Sequence, residues 1–150
     1  MTTKRLDNDI IDKYDYEKVV VSVNKKFTKY RWLKTKKSLV LNKYKSPLAE
    51  EKIGDIPKTN SDTTGNKALK LIQIDEYLEQ FDNELSQLKE KLTVEEKIVL
   101  QNSIIDKTTD EILSIKLSIS RAKVYPYKKS CYVKVAMFFN LDLEDDLIKY

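Results

Sequence analysis

The chain has 150 residues, 35% of them charged, with only two glycines and three prolines, so it is long enough for one domain or two small ones and reads as all-α rather than as a sandwich or barrel. It has no histidine and one cysteine, Cys131, which excludes a disulfide framework, a thiolate or imidazole zinc site within one chain, and nucleophile–base pairs built on histidine. The net charge of +4 divides unevenly: residues 1–45 carry 13 Lys/Arg against 5 Asp/Glu, residues 46–92 carry 6 against 10, and residues 93–150 carry 9 against 9. Every charge from Arg121 to Lys134 is positive. Basic regions flanking an acidic middle suit a polyanionic partner, although solvated helix faces give the same counts.

The N-terminus has no apolar h-region and no run approaches 18 apolar residues, so no membrane partner and a cytoplasmic location are expected. The first element is a basic amphipathic helix over about 14–37, within an N-terminal segment 1–38. Tyr16, Val20, Val23, Phe27 and Tyr30 fall on one helical stripe, and Lys25, Lys26, Lys29, Arg31, Lys34, Lys36 and Lys37 lie on the other face around Trp32. The run Val19–Val23 is β-branched and has strand character, but the longer pattern keeps helical period. Residues 39–66 lose that period and hold Pro47, Gly54, Pro57 and Gly65, which predicts a flexible linker.

Residues 67–150 are expected to form one helical domain. Leu71, Ile74, Leu78, Phe81, Leu85, Leu88 and Leu92 make a heptad seam, with acids on the remaining faces. A seam of this length serves either an intermolecular coiled coil, and so a homodimer, or packing within the chain, the commoner arrangement. Thr93 with Glu96 reads as a capping box, the helix it opens breaks near Asp106–Lys107, and Thr108 or Thr109 caps a short helix with Ile112, Leu113 and Leu117 on its buried side. Ser118-Ile119-Ser120 then makes a turn into a last helix whose apolar stripe is Val124, Tyr127, Cys131, Val135 and Phe138. Cys131 on that stripe is a small core residue rather than a reactive thiol.

A short helix, a turn and a long basic helix over about 108–139 are the plan of a helix-turn-helix. The candidate DNA-binding residues are Ser120, Arg121, Lys123, Tyr125, Tyr127, Lys128, Lys129, Tyr132 and Lys134, with Arg121, Lys123 and Tyr125 near the groove entry and Lys128, Lys129 and Lys134 on phosphates. Pro126 complicates this helix. Either it bends a helix capped by Ser120, the favoured reading because Val124 is in phase with Tyr127 and Cys131, or it stands in the first turn of a helix starting near Tyr125.

The order of basic aromatic helix, linker, acidic heptad helix and the stretch from Thr93 to Glu144 resembles the ArpU-like regulators of phages and mobile elements in Gram-positive bacteria. The C-terminal part resembles sigma-factor region 4. The motifs that carry the resemblance are Ser120, Tyr125 and Tyr127, Lys128-Lys129, and Ala136 with Phe139. It implies control of transcription, commonly activation of late, packaging or lysis genes.

Double-stranded DNA is thus the expected partner, with RNA polymerase or a sigma factor as a further one, and no cofactor or metal is expected. The alternative is a protein-interaction module whose acidic heptad helix docks polymerase, a sigma factor or another regulator without reading DNA. An enzyme is not expected: Asp142, Glu144, Asp145 and Asp146 are read as a polar tail without the spacing of a Mg²⁺ site.

Overall fold

Apolar residues at helical spacing and very few helix breakers leave little choice of secondary structure, and the computed structural model is all-α. It describes the backbone of residues 4–44 and 61–149 and the side chains of 4–40 and 67–149. The α-helices are α1 (Asn8–Ile11), α2 (Tyr16–Tyr44), α3 (Ser61–Lys89), α4 (Val94–Val99), α5 (Asp110–Leu117), α6 (Val124–Phe138) and α7 (Leu141–Glu144). A π-helical segment, Leu100–Ile105, continues α4, and a 3₁₀ turn, Arg121–Lys123, leads into α6. No helix among the described residues is long and apolar enough to cross a membrane.

Both ends of the expected linker are helical. α2 runs on to Tyr44 and α3 already begins at Ser61, so 39–44 and 61–66 are helical. Leu39, Val40 and Leu41 contain no breaker, and one glycine, Gly65, costs only about 1 kcal/mol in a long helix. The rest of the expected linker, 45–60, lies outside the described residues.

The chain forms two compact units, Met1–Thr28 with Leu85–Tyr150, and Lys29–Glu84. This division differs from the expected boundaries at 38 and 67, because the start of α2 packs with the C-terminal helices. In the Lys29–Glu84 unit, α2 and α3 run antiparallel. Tyr30 stacks on Phe81 at 4.4 Å between ring centroids, and its hydroxyl donates to Asp82 Oδ1 at 2.6 Å. Burial, then the Asp82 hydrogen bond, pushes the Tyr30 hydroxyl pKa up, so it stays a donor. Lys37 pairs with Asp75 at 2.9 Å, and Leu33, Leu78 and Phe81 are buried. The heptad seam is therefore filled within the chain over this stretch.

The other unit is built around α6. Val124, Ser130, Cys131, Tyr132, Val133, Val135 and Ala136 are all buried on it, among Val19, Val23, Phe27, Leu88, Leu92, Leu100, Ile104 and Leu113. The buried stripe of α2 includes Val19, while Tyr16 and Val20 are half-buried and Val21 is exposed. Phe27 is fully buried edge-on to Phe139 at 5.9 Å.

The ends of the chain are zipped together beside this core. Asp15 N–H donates to the Leu147 carbonyl at 2.7 Å, and Lys149 N–H donates to that of Lys13 at 2.8 Å. The last acids are not a free tail. α7 carries Asp142, which accepts from Tyr14 Oη at 3.1 Å, and Asp145 accepts from Ser22 Oγ at 2.6 Å.

Candidate nucleic-acid interface

The basic end of α6 is set up by the elements before it. α4 opens on the expected capping box: Thr93 Oγ1 accepts from Glu96 N–H at 3.1 Å, and Thr93 N–H donates to Glu96 Oε1 at 2.9 Å. The π segment seats both Leu100 and Ile104 in the core and turns Ser103 onto Tyr132 Oη at 3.0 Å. The helix then breaks as expected at Asp106, with Lys107 in the left-handed region (φ 53°). Thr109, not Thr108, caps α5, accepting from Ile112 N–H at 3.4 Å. Of the three apolar residues expected on its inner side, Leu113 is buried, Leu117 is half-buried and Ile112 is exposed.

α5 ends in a Schellman pair: Ser118 N–H donates to the Ile115 carbonyl and Ile119 N–H to that of Ser114, both at 3.1 Å. This closure puts Ser118 at φ 57°, a left-handed position held here by serine rather than glycine. The chain is thereby turned sharply into Ser120, which is extended and makes no side-chain cap. Lys123 N–H donates to the Ser120 carbonyl at 3.0 Å, closing the 3₁₀ turn, and Val124 enters the core.

Pro126 accordingly stands in the first turn of α6, and the bent-helix reading is corrected. The helix starts at Val124, two residues before the proline, where a missing N–H has little to lose and the fixed φ suits the turn.

The nine sequence-predicted residues separate into groups. Ser120, Arg121, Lys123 and Tyr125 are exposed. Arg121 lies 3.4 Å from Glu111, a solvent-exposed pair that binds it weakly. Tyr125 sits edge-on to Tyr16 at 5.2 Å, and Lys129 Nζ stands 4.6 Å from its ring centroid. Tyr16, half-buried between Tyr125 and Tyr132, has its hydroxyl pKa raised, by burial first and then by those two rings. Lys128, mostly buried, pairs with Asp110 at 2.9 Å and ties α6 to the start of α5. Tyr127 is half-buried, with the Arg5 guanidinium 5.8 Å from its ring centroid.

Tyr132 and Lys134 do not belong to an exposed basic face. Tyr132 is 4% exposed and bonded to Ser103. Lys134 donates to Glu96 Oε1 at 2.6 Å, to the Lys4 carbonyl at 2.6 Å and to the Lys91 carbonyl at 3.1 Å, so all three of its protons are used. Glu96 is fully buried, and its second oxygen accepts from Ser130 Oγ at 2.6 Å. The Cys131 thiol, buried beside the Glu96 carbonyl, has its pKa pushed up by burial and by the Glu96 charge, with Lys134 opposing. It is a packing residue.

The segment that sequence reasoning missed is the amino-terminal arm. Arg5, Asn8, Asp12, Tyr125, Pro126 and Lys129 line a cleft of about 260 Å³ together with the buried Ile11. No group of three His, Cys, Asp or Glu among the described residues is placed to hold a metal ion. No family model matches the chain, and no curated protein or solved structure shows significant similarity to it.

Proposed function

We propose that this chain is a DNA-binding regulator of helix-turn-helix type, with α5 and α6 as its two helices and the start of α6 as the part that enters the major groove. The observation that carries this reading is the contrast along α6. Most of its second half is buried, from Cys131 to Val133 and at Val135 and Ala136, whereas Arg121 and Lys123 in the 3₁₀ turn that leads into it and Tyr125 at its start stand exposed. Groove-reading helices present their N-terminal residues in this way, and cations there combine base contact with counterion release. Lys128 and Lys129 flank the same end and suit backbone phosphates, although Lys128 must share its charge with Asp110. Control of transcription, with late, packaging or lysis genes as the targets, is what the resemblance to the ArpU-like regulators adds.

The competing module that docks a protein through the heptad helix is weakened, since Leu78 and Phe81 are already buried within the chain. The test is binding of the full chain to duplexes from the DNA flanking its gene, followed by fluorescence anisotropy at several salt concentrations. A steep salt slope with a preference among duplexes is the expected result. Salt-independent or absent binding would overturn the reading.

A further inference from the structure

The arm formed by Lys4, Arg5 and Leu6 is held by its backbone. Leu6 N–H donates to Ser130 Oγ at 3.1 Å, and the Lys4 carbonyl accepts from Lys134 Nζ at 2.6 Å. Ser130 is fully buried, Lys134 is nearly so, and both converge on the buried Glu96 carboxylate. The arm is thus fastened at two points by a charged network inside the unit. Its side chains do something else: Lys4 and Arg5 are exposed, and among the described residues neither has a carboxylate partner, unlike Lys128 and Lys134. Arg5 instead faces the Tyr127 ring and shares the cleft with Tyr125 and Lys129, two to eight residues beyond the exposed Arg121 and Lys123.

Two consecutive cations on an immobilised backbone, beside a cleft carrying a third, add nothing to the hydrophobic core and repel one another. They do match a polyanion, and arginine in particular matches a phosphate, whose oxygens its planar fork can bond in pairs. We propose that Lys4 and Arg5 form a second DNA contact, in which a backbone phosphate of the duplex is gripped by Arg5 and Lys129 at the mouth of this cleft while α6 enters the adjoining groove. Ser130, Lys134 and Glu96 are positioning residues for the arm. Asp12, the carboxylate lining the same cleft, opposes the phosphate. This inference rests on the DNA-binding reading of α6.

The experiment measures anisotropy of the full chain across a salt series with two labelled duplexes of equal length, one from the flank of its own gene and one random. The parent is compared with Lys4→Gln/Arg5→Gln, Asp12→Asn and Arg121→Gln/Lys123→Gln. The arm variant should keep its melting temperature, lose affinity on both duplexes alike, and show a salt slope shallower by about one for each phosphate contact removed. Asp12→Asn should bind both duplexes more tightly. If Arg121→Gln/Lys123→Gln weakens binding and flattens the slope while the arm variant keeps the parent's affinity and slope, the arm proposal is overturned and the α6 reading stands. A parent that binds neither duplex overturns both. An arm variant that loses affinity for one duplex with an unchanged slope would overturn the phosphate assignment.

Discussion

Lys129 and Lys134 lie five residues apart on one helix and have opposite fates. On the Lys129 side, the 3₁₀ turn and the start of α6 carry exposed Arg121, Lys123 and Tyr125. Around Lys134, Cys131, Tyr132, Val133, Val135 and Ala136 are buried and the ammonium is consumed by Glu96 and two carbonyls. A run of positive residues in one helix is therefore not one surface. The first half has cations that solvent can reach, the second a cation whose loss would strand a buried carboxylate.

That difference is sharpened first by Lys134→Met. With its partner removed, Glu96 is left charged in the core, and a loss of about 3–5 kcal/mol is expected in urea denaturation. Much of this should return in Glu96→Gln/Lys134→Met, where no unpaired charge remains. A single variant within about 1 kcal/mol of the parent would put Lys134 back among the surface cations. Tyr132→Phe should cost less, about 1–2 kcal/mol, because it leaves the Ser103 hydroxyl without its partner. A neutral result would mean that Tyr132 is more open to water than its burial indicates.

Pro126→Ala comes next in size. In the first turn the proline already has a suitable φ, so the change in stability should be within about 1 kcal/mol, neutral or slightly unfavourable, with the choice of DNA sites unaltered. A gain of about 1–3 kcal/mol in a melting experiment would restore the bent-helix alternative.

What could be read in the sequence was what depends on near neighbours. The heptad spacing from Leu71 to Leu92, the Thr93–Glu96 capping box and the break at Asp106–Lys107 are local patterns, and each has its counterpart in the fold. The exposed residues Ser120 to Lys123 also follow locally, since a turn must be near solvent. The burial of Tyr132 and Lys134 could not be read in this way. It depends on Ser103, Lys4, Lys91 and Glu96, up to 130 residues away in the chain, and helical periodicity carries no record of such partners. The arm was invisible for the same reason: Lys4-Arg5-Leu6 has no pattern of its own and acquires its place from Ser130 and Lys134. Pro126 misleads the local pattern because Ser120 has the residue type of an α-helix cap, whereas in the fold it opens a 3₁₀ turn that ends before the proline.

The most direct test of the central claim is the salt dependence of duplex binding by Arg121→Gln/Lys123→Gln beside the parent. These side chains are exposed and almost unpaired, so stability should change by less than about 0.5 kcal/mol. The account expects weaker binding by the folded variant, a plot of log K against log salt shallower by about two, and a reduced preference among duplexes. A folded variant with the parent's affinity, slope and preference would contradict it and remove the start of α6 from the DNA interface.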